Sequence, residues 1–135
     1  MIFSIVIPAY NEEQSIAAII NATLEARSRI IKETPVTQVE VIVVNDGSRD
    51  RTPEIAARHK EIMLISYQKN NGYGAAIKLG FEAAHGEILG FLDADGTCDP
   101  KFFIDLINIL EANKADIAIG SRLGPASKMP QIRRL

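Results

Sequence analysis

Short apolar runs and longer amphipathic runs take turns along this chain, and few architectures other than a parallel sheet covered by helices accept that order. The runs "IFSIVIP" (2–8), "VEVIVVND" (39–46), "IMLISY" (62–67), "EILGFLD" (87–93) and "DIAIGS" (116–121) are short and apolar, as strands buried on both faces should be. Between them the period changes. From about Glu12 to Lys32 the residues Ile16, Ile19, Ile20, Leu24 and Ile31 recur at helical spacing. Thr52 before Pro53 and Asp99 before Pro100 each read as a cap followed by a first-turn proline. The first opens a helix into "EIAARHK", the second into the stripe of Phe102, Phe103, Leu106, Ile107 and Leu110. "GAAIKLGFEAAHG" (74–86) reads as a helix closed by Gly86, with Gly80 allowing close packing on the sheet. The expectation is one α/β domain over 1–135 with a mostly parallel sheet. The stretch 122–135 lacks periodicity and ends without a cap, so it is expected to be an irregular tail, the domain being truncated at its C-terminus.

Open parallel sheets bind ligands beyond the carboxyl ends of their strands. Each of those ends here runs into polar residues: "PAYNEE" (8–13), "NDGS" (45–48), "QKNNGYG" (68–74), "DADG" (93–96) and "SR" (121–122). Five such clusters at one end of one sheet predict a ligand cleft. A net charge of −2 gives no electrostatic reason to expect nucleic acid. No apolar run is long enough to cross a bilayer, and the N-terminus has no signal-peptide layout. The chain is therefore expected to be soluble; the localisation expected is cytoplasmic, with the cytoplasmic face of a membrane as the alternative. The only cysteine, Cys98, excludes an internal disulfide and reads as a small, partly buried filler beside a loop.

The sharpest cluster is "FLDADGT" (91–97), where an apolar run stops at two aspartates. In an extended segment Asp93 and Asp95 point the same way. Two aligned carboxylates repel each other unless a metal, a basic side chain or water lies between them. A calcium loop of the EF-hand type is excluded, because its sixth and twelfth positions hold Cys98 and Ile104 instead of Gly and Glu. A hard cation shared with phosphate oxygens, Mg²⁺ or Mn²⁺, suits the pair better. Asp46, followed by Gly47 and Ser48, either caps its turn or accepts hydrogen bonds from a base edge, and Asn45 steadies the turn. Gly72 and Gly74 open a helix whose free N–H groups attract an anion, but the dinucleotide fingerprint fails at Ile77. Taken alone, both glycines read as serving backbone conformation. His59 and His85 sit at helix ends, where a cation suits the dipole.

Taken in order, "SIVIPAYNEEQSI", "VIVVNDGSRDRT", "NNGYGAAIKLGFEAAHGEILGFLDADGTCDP" and "GSR" resemble the family 2 glycosyltransferases of the GT-A fold, over residues 4–122. "GSR" and the following "MPQIRR" point to the branch that includes dolichol-phosphate mannosyltransferase and polyprenyl-phosphate glucosyltransferases. The resemblance implies a three-layer α/β/α, Rossmann-like nucleotide-diphospho-sugar transferase fold. It implies that Pro8, Ala9, Tyr10 and Glu12 line a nucleotide pocket, with Tyr10 beside the base, and that Asp46 bonds the base. Lys69, Gly72 and Gly74 would lie along the nucleotide. Asp93 and Asp95 would form the metal motif, Asp95 as direct ligand and Asp93 also near the ribose or sugar. Arg122, with Arg133 and Arg134, would meet acceptor phosphate or the leaving diphosphate. Two departures stand out: Tyr73 occupies a place often held by a basic residue, and Asn45 replaces a more usual aspartate.

The activity implied is metal-dependent, inverting hexosyl transfer from a UDP- or GDP-linked sugar to an acceptor, a polyprenyl or dolichyl phosphate. No catalytic base stands out in 1–135, but a lipid phosphate is already anionic and needs none. Membrane contact is expected only through sequence beyond residue 135 or through the acceptor, and homo-oligomer formation is left open. The alternative is a nucleotide-binding module without transferase activity. A nucleotidyltransferase is disfavoured, because no glycine-rich basic loop follows the first strand.

Overall fold

The computed structural model describes residues 1–118. Its elements run β1 (Ile2–Ala9), α1 (Ile16–Glu33), β2 (Gln38–Asp46), α2 (Thr52–Ala57), β3 (Met63–Tyr67), α3 (Tyr73–Ala83), β4 (Ile88–Phe91) and α4 (Phe102–Ala112). The four described strands are all parallel, in the order β3-β2-β1-β4. A parallel connection is right-handed, so the direction of travel across the sheet decides which face the helix covers. From β1 to β3 the chain steps one way and α1 and α2 share a face. It then reverses past β1 to reach β4, and α3 falls on the other face. The contacts agree: α1 packs on α2 and α4, whereas α3 packs on β1 and β2 from the far side.

Strands β1 and β2 read as continuous apolar runs because both their faces are buried, whereas β3 and β4 on either side of them are only partly covered. In β1, Phe3, Ile5 and Ile7 enter the larger core with α1 and α4, while Val6 enters the smaller core with Ala76 of α3. In β2, Val41 and Val43 face the first core, and Ile42 and Val44 the second. Gly80 lets α3 lie close, as its sequence position predicts: a Cβ there would stand 2.4 Å from Val6 Cγ1.

Several boundaries differ from the sequence reading. Helix α1 starts at Ile16 instead of near Glu12, because residues 11–13 are hydrogen-bonded to the loop after β2 and to Thr52 at the start of α2. Helix α3 starts one residue early and ends at Ala83, with Ala84 already extended. Gly86 is therefore not its cap. It packs against the start of β1, where a Cβ would meet Ser4 Oγ at 2.6 Å. His85 is likewise past the helix and bonds Glu40, Nδ1 to Oε2 at 2.7 Å. Glu40 Oε1 also accepts the buried Ser4 hydroxyl at 2.9 Å. Strand β4 stops at Phe91 instead of Asp93. Asp116, Ile117 and Ala118 form no strand, and the rest of the expected strand 116–121 lies outside the described residues.

Candidate active site

The strand order reverses between β1 and β4, and the loops leaving those strands part there, opening a crevice at their carboxyl ends. A cavity of about 870 Å³ occupies it. Pro8, Ala9, Tyr10 and Glu12 from the end of β1 form one wall. Asp46, which is buried, lines the cavity together with Gly72, Gly74, Asp93 and Asp95. Asn70, Tyr73 and Phe91 also line it and were not singled out as site residues by the sequence.

The first loop is held by the second. Asn11 N–H donates to Ser48 Oγ, and Arg49 N–H returns a bond to Asn11 Oδ1 at 2.8 Å. Glu12 N–H donates to Thr52 Oγ1 at 2.9 Å, Glu13 N–H to Asp50 Oδ2, and Arg51 N–H to Glu13 Oε2. Asn11 adopts φ 52, and these bonds hold it there. Thr52 is thus not the cap that its place before Pro53 suggests. It lies inside α2 and is fully buried, and Asp50 Oδ1 accepts both its N–H and its hydroxyl. The Ser15 hydroxyl ties the same loop to the turn after β4, 2.8 Å from the Ala94 carbonyl oxygen and 3.0 Å from Glu12 Oε2.

Burial pushes the Asp50 carboxyl up, but the bonds from Thr52 and Glu13 outweigh it and hold the group below the usual aspartate range. Glu40 shows the same balance, burial being outweighed by His85 and Ser4. Both carboxyls protonate at lower pH in the folded chain than in the unfolded one. The stability they give is complete above their ordinary values of 3.8 and 4.5 and is lost as pH falls through the lower folded values. The thermal midpoint should therefore drop between about pH 5 and about pH 3, and the double variant D50N/E40Q should show a shallower drop. An unchanged slope in a pH-dependent melting series would remove both groups from this account.

Asp46 is 3% exposed. Its Oδ1 accepts Asn71 N–H at 2.8 Å and its Oδ2 accepts Gly72 N–H at 3.0 Å. Asn70 Nδ2 adds a bond to the Asp46 carbonyl. Gly72 sits at φ 100, a conformation that side chains resist, so the carboxylate holds the loop in a shape glycine permits. Gly74 needs no such freedom, since it lies in α3 and has no positive φ, which differs from the sequence reading. Its missing side chain leaves room in the cavity. Asn45 steadies the preceding turn as expected, its Oδ1 accepting Ser48 N–H. Tyr67 pairs with Asp46 in register, its hydroxyl oxygen buried and without a hydrogen bond of normal geometry. Burial, then the nearby Asp46 carboxylate, hold its proton well above the usual tyrosine range.

Beyond β4 the alternation of faces outlasts the strand. Leu92 and Ala94 are buried in the core, while Asp93 and Asp95 line the cavity in a turn that Gly96 closes at φ 80. Each carboxylate has one oxygen engaged. Asp95 Oδ1 accepts Thr97 N–H at 3.0 Å and Thr97 Oγ1 at 2.7 Å. Asp93 Oδ1 accepts the Tyr73 hydroxyl. The two Oδ2 atoms take no hydrogen bond among the described residues.

Comparison with known proteins places the chain. A family model described as glycosyl transferase family 2 matches residues 4–135. The chain belongs to glycosyl transferase family 2. A dolichyl-phosphate beta-glucosyltransferase of Trichomonas vaginalis is 38% identical over 125 residues, covering 87% of this chain and 37% of that protein. The family 2 chain thus spans little more than a third of that relative's length. Among solved structures, S. aureus TarS in complex with UDP superposes with a TM-score of 0.71 at 25% identity, covering 97% of this chain and 38% of the other. Glucosyl-3-phosphoglycerate synthase from Mycobacterium tuberculosis, in complex with Mn²⁺, UDP and phosphoglyceric acid, gives 0.60 at 27%, covering 80% and 38%. The α/β/α fold of this family 2 domain is the GT-A fold expected from its motifs.

Of the site residues expected in this family 2 domain, Pro8, Ala9, Tyr10, Glu12, Asp46, Gly72, Gly74, Asp93 and Asp95 converge on the one cavity. Lys69 is not among its lining residues, because the loop turns inward only at Asn70. Arg122, Arg133 and Arg134 lie outside the described residues. Among the described residues no cluster of three or more His, Cys, Asp or Glu side chains could hold a metal. Two hard carboxylates, each with an oxygen unengaged, fit Mg²⁺ or Mn²⁺, which are held by one or two carboxylates and complete their shell with phosphate and water.

Proposed function

We propose that this domain transfers a sugar, with inversion, from a uridine diphosphate sugar to a polyprenyl phosphate, with a divalent cation at Asp93 and Asp95. The observation that carries this reading is the convergence of Tyr10, Asp46, Asp93 and Asp95 on one cavity at the strand-order reversal. The likeness to a dolichyl-phosphate glucosyltransferase supports the acceptor class, and the UDP and Mn²⁺ of the structural relatives support the donor and the metal.

Tyr10 is 44% exposed and offers a ring face for the base. Asp46 shapes the floor of the base pocket and keeps lone pairs for a base N–H. The N-terminus of α3 opens on the cavity and favours the diphosphate charge. A cation bound at the two carboxylates supplies Lewis-acid stabilisation of the charge developing on the leaving diphosphate. The acceptor phosphate attacks as an anion, so no side chain has to remove a proton. Arg122 is proposed to meet that phosphate or the leaving group. Among the described residues no helix is long and apolar enough to cross a membrane. The lipid acceptor would bring this domain to the cytoplasmic face of a membrane.

Calorimetry with UDP and GDP, each with and without Mn²⁺, tests the donor half. UDP binding strengthened at least about tenfold by Mn²⁺ is expected, since a cation held by Asp93 and Asp95 would offset the repulsion between those carboxylates and the diphosphate. Release of UDP on adding a UDP-sugar and a polyprenyl phosphate tests the acceptor half. Metal-dependent binding without turnover would favour a nucleotide-binding module.

A further inference from the structure

We propose that the Tyr73 hydroxyl is a positioning group for the metal site, holding one oxygen of Asp93 so that the other remains for the cation. The inference rests on the cation reading above and assigns a task to the residue that replaces the basic side chain expected at this place. Tyr73 is the first residue of α3, and its hydroxyl donates to Asp93 Oδ1 across the cavity. Its ring is braced by the same segment that carries the carboxylate. It meets Phe91 edge-on, centroids 6.3 Å apart, and Phe91 in turn meets Phe81 at 6.4 Å.

The backbone just before it is fixed as well, since Gly72 N–H is bound by Asp46. One short chain of contacts therefore runs from the base side of the cavity to the metal side: Asp46, Gly72, Tyr73, Asp93. Asp95 has a holder of the same kind in Thr97. Each member of a repelling carboxylate pair is thus kept in place by a hydroxyl that brings no positive charge. A lysine in place of Tyr73 would neutralise Asp93 and compete with the cation for it. A tyrosine orients the carboxylate and leaves its charge for the metal.

Y73F keeps the ring against Phe91 and removes only the hydroxyl. Calorimetry of UDP binding to wild type, Y73F, D93N and the double variant, each with and without Mn²⁺, decides the matter. Y73F should leave the metal-free affinity within about twofold of wild type. It should weaken the Mn²⁺-dependent affinity about tenfold, the worth of one hydrogen bond to a charged group. In the D93N background Y73F should add no further loss. Equal Mn²⁺-dependent affinity for Y73F and wild type overturns the inference, as does an equal loss with and without metal, or a loss that persists in D93N. A wild-type affinity indifferent to Mn²⁺ overturns the cation reading, and this inference with it.

Discussion

Asp95→Asn is expected to abolish the Mn²⁺-dependent part of UDP binding and to lower sugar transfer on the order of a hundredfold or more. Asp95 is exposed, so folding depends little on its charge. The thermal midpoint of the ligand-free variant should stay within about 2 °C of wild type. Asparagine keeps a carbonyl oxygen for the bonds from Thr97, so the turn itself should persist. What it loses is the anionic oxygen that a hard cation requires. Binding with and without metal separates this loss from a general weakening. An unchanged response to Mn²⁺ would remove Asp95 from the metal site.

Asp46→Ala is expected to damage both fold and binding. The carboxylate is buried, and two main-chain N–H groups, of Asn71 and Gly72, depend on it. Leaving two partly buried donors without acceptors costs about 2–4 kcal/mol. The loop 69–72 then loses the clamp that carries Gly72 and Tyr73 to the cavity. Nucleotide affinity should fall with and without Mn²⁺, in contrast to Asp95→Asn. Asp46→Asn, which keeps one acceptor, should recover part of the stability in urea unfolding. Equal stability of wild type and the alanine variant would show that the two bonds hold nothing.

The parallel sheet was legible because each strand is apolar on both faces and each helix carries a stripe. The shared orientation of Asp93 and Asp95 was legible too, although the strand ends at Phe91, because burial of Leu92 and Ala94 keeps the alternation going. Other features depend on where the crossovers bring the chain. The Tyr73–Asp93 contact joins residues 20 apart, at the two ends of a stretch that holds all of α3 and all of β4. Thr52 looked like a local cap, yet its hydroxyl serves a loop 40 residues away. Gly86 looked like a helix stop, but the start of β1 presses on it. Local rules locate such residues without naming their partners. The block "GSRDRT" carried a sign of this: its polar residues exceed what one turn needs, and the surplus holds the first loop.

The most direct measurement is a crystal structure of the chain grown with UDP and Mn²⁺, with manganese located by its anomalous scattering. Manganese bonded to a carboxylate oxygen of Asp95 and to diphosphate oxygens, with the uracil beside Tyr10, is the predicted result. UDP seated in the cavity with manganese away from the 93–95 turn would contradict it.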